Sequence, residues 1–156
     1  MTKSEKIKYG IFTLDREYAE ATIDRLKDMH GGKVDKYIKT KYELSCYMDD
    51  GTNFIWLKMN EDTKVFRCSK AIIDIATCSI NFIKYIVLPM CIYANKKDIE
   101  IVTSVDIDTD LDTFIETLRK IKIIKGNIPV YYNNFDNCPN YCLGFKVDED
   151  GVNLYG

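Results

Sequence analysis

The sequence predicts an α/β fold: one compact domain with a mixed β-sheet of about five or six strands, three helices and a small C-terminal β annex. Three observations lead there. Apolar runs of strand length alternate with segments whose apolar residues recur at helical spacing. Near the middle, Asp49-Asp50-Gly51 joins two aromatic, β-branched runs, the signature of a hairpin. No repeat, low-complexity tract or Pro/Ser-rich linker interrupts the 156 residues. A chain of this length buries roughly 70% of its unfolded surface, so neither metal nor disulfide is needed to fold it.

The elements follow in order. Residues 7–13 read as a short buried strand, and residues 15–29 as a helix with Tyr18, Thr22, Leu26 and Met29 on one stripe. Gly31 ends that helix, because glycine takes the left-handed conformation without a Cβ clash. Residues 34–40 alternate weakly and suit an edge strand. The hairpin covers 42–47 and 52–59. Residues 70–75 form a near-continuous apolar run, as in a strand covered on both faces. Ser79 caps a helix over 80–88 with Ile80, Ile83 and Val87 inward, and Pro89 is expected to stop it. Residues 99–105 are a β-branched strand. Thr109 or Asp110 then opens a helix to 125 with Leu111, Phe114, Ile115, Leu118 and Ile121 at helical spacing, closed by Gly126. Short strands at 128–132, 143–147 and 152–155 make up the annex.

Composition excludes several classes. The chain is 46% apolar and 29% charged, ordinary for a globular domain. The basic N-terminus lacks an apolar run of signal-peptide length, and no segment reaches the ~20 apolar residues of a membrane span. A cytoplasmic location, with no membrane partner, is therefore expected. The six cysteines then read as reduced thiols, Cys46, Cys68, Cys78 and Cys91 as small core residues. Net charge is −2, but residues 1–100 hold 17 Lys/Arg against 15 Asp/Glu, and residues 101–156 hold 5 against 9. That asymmetry leaves room for a charged binding surface beside ordinary solvated faces.

Residues 8–90 resemble the later half of the ATPase domain of phage large terminase subunits. The matching segments are YGIFTLDREYAEATIDRLK, YMDDGTNFIWLK, FRCSKAIID and INFIKYIVLPM, anchored on Asp50, Gly51, Arg67, Asp74 and Pro89. The resemblance implies a phage or mobile-element origin and puts Asp74 where that family's magnesium-orienting acid stands. The rest of the chemistry is missing. No glycine has the G-x-x-x-x-G-K-[ST] spacing of a P-loop, and Ile75 stands where the water-orienting acid follows. ATP hydrolysis is thus not expected, and no cofactor is implied. Arg67 and Asp74 remain as a residual ligand site at a strand end, where open α/β sheets place ligands. The bland alternative makes Asp74 a strand-ending acid that satisfies turn amides.

Other constellations carry a bland reading beside the functional one. His30, the only histidine, suits a helix C-terminus, where imidazolium meets the negative end of the dipole. Cys138 and Cys142 would need two distant cysteines to hold zinc. Asp106, Asp108, Asp110 and Asp112 imitate the opening of a calcium loop. Leu111 replaces its glycine and Thr117 its closing glutamate, so an acidic helix start, or an acidic knob for a protein partner, fits better. Lys33, Lys36, Tyr37, Lys39 and Lys41 interleave cations with aromatics as a nucleic-acid surface would, and equally as a lysine-guarded edge strand. Tyr131, Tyr132, Phe135 and Tyr141 make the tail aromatic, either as a protein-binding face or as the annex core.

The expectation drawn is a non-enzymatic protein-binding module, of which an inhibitor of a host defence protein is one form. The alternatives are a nucleic-acid-associated accessory protein using residues 33–41 and a residual nucleotide binder at Asp74. Oligomeric state and partner identity are left open by the residues.

Overall fold

The computed structural model describes residues 6–59, 66–104, 110–133 and 144–155. Six strands form one mixed sheet: β1 (Lys8–Phe12), β2 (Val34–Lys39), β3 (Glu43–Met48), β4 (Asn53–Leu57), β5 (Lys70–Asp74) and β6 (Ile99–Val102), in the order β2-β3-β4-β1-β5-β6. β4, β1, β5 and β6 run parallel, and β3 runs antiparallel to β2 and β4. The α/β class with a six-stranded mixed sheet is therefore as the sequence predicts. A second sheet of β7 (Val130–Asn133), β8 (Gly144–Val147) and β9 (Val152–Tyr155), ordered β7-β9-β8, is the C-terminal annex. Val152 plugs it into the main core.

Three helices flank the large sheet. Helix α1 (Arg16–His30) begins where Asp15 accepts from the Tyr18 amide and ends at Gly31, φ 71°. Helix α2 joins Ile80–Phe82, a π-helical turn Ile83–Val87, and Leu88–Met90 into one rod, started by Ser79. Helix α3 (Leu111–Lys125) starts at Asp110, whose carboxylate accepts from Thr113, and closes at Gly126.

Alternation along β1 divides the core. Ile11 faces α1, packing with Ala19, Ile23, Leu44, Cys46, Met48, Phe54 and Trp56. Phe12 faces the other side, with Ala71, Ile73, Ile83, Val87, Met90, Ile121 and Ile124. Because period-two alternation sends neighbours to opposite faces, a five-residue strand serves two cores. The sheet is doubly wound, α1 on one face and the partners of β5 and β6 on the other.

Three expectations are corrected. Pro89 does not stop α2, which runs on to Met90. The π-turn shifts the hydrogen-bond register so that the Leu88 amide reaches Ile83, and a residue without an N–H is tolerated just beyond it. On α1 the inward stripe is Ala19, Thr22 and Ile23, and Met29 is 72% exposed. On α3 it is Thr117, Ile121 and Ile124, leaving Leu111 71% exposed. Both errors are rotations of the apolar face, which periodicity locates only to within a residue or two.

Candidate functional site

The ends of β1, β5 and β6 meet at the switch point of the doubly wound sheet, and Asp74 is their hub. Its carboxylate is buried. Oδ2 accepts from Thr13 Oγ1 at 2.7 Å and Thr77 Oγ1 at 2.8 Å, and Oδ1 accepts from the amides of Ser104 at 3.0 Å and Ala76 at 3.1 Å. Burial pushes the carboxyl up, and donors from Ser104, Thr13 and Thr77 outweigh it and hold it below the usual aspartate range. The buried Ser104 Oγ has no hydrogen-bond partner among the described residues. Thr13 is itself held, its oxygen accepting from the Asp15 amide and its carbonyl from Trp56 Nε1 at 2.8 Å. Two bonds on each oxygen use the carboxylate's ordinary capacity, so a metal ion would have to displace a hydroxyl or amide.

Arg67 is not part of this arrangement. It precedes β5 while Asp74 ends it, so the two lie at opposite ends of that strand. The pair suggested by the sequence is not one site.

At the edge where the parallel strands begin, Arg67 lines a cleft of about 790 Å³ together with Lys6, Lys8, Lys70, Ser69 and Tyr93. The cations come from the approach to β1, from β1 itself and from the start of β5. Arg67 lies 5.9 Å from the Tyr93 ring centroid and Lys70 5.6 Å from that of Tyr9. Tyr93 is 71% exposed. Asp98 is the only carboxylate among the described lining residues, and it accepts from Asn95 at 3.5 Å. Ion pairs elsewhere join Arg16 and Lys39 to Glu20, Lys27 to Asp24 and Lys120 to Glu116. Among the described residues Lys6, Lys8, Arg67 and Lys70 make no such ion pair.

The lysine stretch lies on β2, at the edge of the sheet. Lys33, Lys36 and Lys41 are exposed. Lys39 is tied to Glu20 at 2.9 Å and lies 4.5 Å from the Tyr37 centroid. Tyr37 donates to Asp24 at 3.1 Å, and burial and that carboxylate push its phenol up. Tyr37 is thus held against its neighbours and not presented for stacking, and the exposed lysines guard the sheet edge. His30 closes α1 as expected and also binds Asp50 of the hairpin turn, Nε2 to Oδ2 at 2.9 Å.

Asp110 caps α3 and Asp112 stands in its first turn. Asp106, Asp108, Phe135, Cys138, Tyr141 and Cys142 lie outside the described residues. Tyr131 and Tyr132 occupy β7, paired with Asn153 and Leu154. Cys46, Cys68, Cys78 and Cys91 are free, buried thiols, and no group of three or more His, Cys, Asp or Glu with metal-site geometry occurs among the described residues. No described helix is long and apolar enough to cross a membrane. Of the cleft cations the sequence singled out Arg67 alone, and Lys6, Lys8 and Lys70 were missed because segments distant in the chain supply them.

The chain matches no family model, and no curated protein or solved structure is significantly similar to it.

Proposed function

We propose that the protein is a nucleic-acid-associated accessory protein that grips single-stranded DNA or RNA in the cleft at the N-terminal ends of β1 and β5. The observation that carries this reading is the convergence of four cations, Lys6, Lys8, Arg67 and Lys70, which pair with no carboxylate among the described residues, beside the exposed ring of Tyr93. Lysines neutralise phosphates without regard to sequence, and an aromatic face stacks on any base. Ser69 and Asn53 add uncharged polar groups along the cleft wall.

The test is fluorescence anisotropy of a labelled oligothymidylate of about 12 nucleotides, within the usual site sizes for single strands. Binding at low salt should weaken with a log–log slope of about −2 to −3, as expected for three or four neutralised phosphates. The charge reversals Lys8→Glu and Lys70→Glu should abolish it while the protein stays folded. Cations that merely offset the helix C-termini gathered at this edge would instead cost stability and leave no binding to lose.

A second reading, a protein partner, is favoured by α3. Leu111 and Ile115, one turn apart, are 71% and 38% exposed beside Asp110 and Asp112. Affinity capture with the native protein and with Leu111→Asp checks it, an unchanged set of captured proteins counting against that face.

A further inference from the structure

We propose that Cys68 and Cys91 are an oxidisable dithiol whose disulfide would staple together the two walls of the basic cleft. Their Sγ atoms are 3.7 Å apart. The backbone holds them there, the Cys68 amide donating to the Met90 carbonyl at 2.9 Å and the Cys68 thiol approaching the same oxygen at 3.5 Å. A disulfide needs about 2.05 Å between sulfurs, a closure within reach of small side-chain rotations. The other described thiols are occupied elsewhere: Cys46 against Met48 at 3.8 Å, Cys78 against the Phe12 carbonyl at 3.4 Å. Arg67 immediately precedes Cys68 and Tyr93 follows Cys91 by two residues, so the sulfur pair lies behind the contact that spans the cleft mouth.

A hydrogen bond in which either sulfur can donate joins the pair. With help from Lys8 it holds Cys68 below the ordinary thiol range, against the opposing effect of burial. Cys91 is pushed up by the same bond and by burial. Cys68, which lines the cleft, is assigned as the attacking sulfur, and Cys91, which does not, as the resolving one. With hydrogen peroxide as oxidant, Cys68 sulfur attacks one peroxide oxygen. The O–O bond breaks, one water leaves and a sulfenic acid remains. Cys91 sulfur then attacks Cys68 sulfur, the S–O bond breaks and the departing hydroxide takes the Cys91 proton as the second water. Two thiols and one peroxide give one disulfide and two waters, each sulfur losing one electron. Both residues are buried, 0% and 4% exposed, so peroxide enters through local opening and the reaction is slow.

This inference does not rest on the nucleic-acid reading, and its test reads covalent chemistry. The full chain is treated with a slight excess of peroxide, denatured, alkylated with iodoacetamide and weighed intact. Two fewer adducts and a peptide crosslinked through Cys68 and Cys91 are expected, also in a Cys138→Ser/Cys142→Ser variant. The oxidised protein should melt higher by on the order of 5–10 °C, reversibly with dithiothreitol. In Cys91→Ala, Cys68 should run on to sulfinic acid. Wild-type protein whose Cys68 becomes sulfinic while Cys91 still alkylates, or whose only crosslink joins other cysteines, would overturn the proposal. The mapping on wild-type protein decides the matter even if the variants fail to fold.

Discussion

Thr13 and Asp74 meet across the carboxyl ends of β1 and β5, hydroxyl to carboxylate at 2.7 Å, although 61 residues separate them in the chain. That bond and its three companions tie together the loops that leave β1, β5 and β6. Breaking the hub takes the acceptor from four donors, the buried Thr13 hydroxyl and the half-buried Thr77 hydroxyl and Ala76 and Ser104 amides. We predict that Asp74→Ala lowers stability by about 3–5 kcal/mol and Asp74→Asn, which keeps one acceptor oxygen, by less. Urea unfolding at neutral pH measures both, and a loss below about 1 kcal/mol for the alanine variant would show the hub to be incidental.

The same carboxyl sets an acid limit. Its folded-state value lies below its unfolded one, so the stability it contributes is fully present above the unfolded value near 3.9 and is lost as pH falls through the folded value. Denaturation midpoints should fall as pH drops below about 4, less steeply in Asp74→Asn. Identical acid profiles for the two proteins would contradict the prediction.

Trp56, the only tryptophan, is 2% exposed and donates to the Thr13 carbonyl. Trp56→Phe removes a buried donor and part of a large ring, with a predicted cost of about 2–3 kcal/mol. Its native fluorescence should shift to the red on unfolding in one transition coincident with circular dichroism, and a separate transition would reveal that the two cores unfold apart.

Gly10 lies under the Phe12 ring. A Cβ placed there would stand 2.8 Å from Phe12 Cε2 and 3.1 Å from Cys68 Sγ. Gly10→Ala should therefore cost about 1–3 kcal/mol through overpacking. Calorimetry of the variant tests this, an unchanged melting temperature being the contrary result.

On the nucleic-acid reading, each cleft cation contributes separately. Lys70→Ala should shrink the salt slope by roughly one unit. Tyr93→Ala should weaken binding by about 1–3 kcal/mol at every salt concentration and leave the slope unchanged. Anisotropy titrations at several salt concentrations separate the two effects.

Much of the architecture was readable residue by residue. Asp15 and Gly31 bracket α1, Ser79 starts α2, Asp110 and Gly126 bracket α3, and Gly51 at φ 88° turns the hairpin. Caps and tight turns are local, so the residues that make them announce them. Pro89 misled because its exclusion from helices assumes a regular register, which the π-turn alters. Met29 and Leu111 misled because a helix's apolar residues do not say which of them the sheet will cover.

The sequence by itself determined the α/β class, the order of strands and helices and the thiol character of the buried cysteines, since propensity, period and punctuation act over a few residues. Only the tertiary structure decided that Arg67 and Asp74 stand at opposite ends of the parallel strands, that Lys6, Lys8 and Lys70 converge with Arg67 on one cleft, and that Cys68 touches Cys91. Those relations follow from which strands pair, and pairing is settled by burying Ile11 and Phe12 on opposite faces of β1, a cooperative choice of the whole chain that no short segment records.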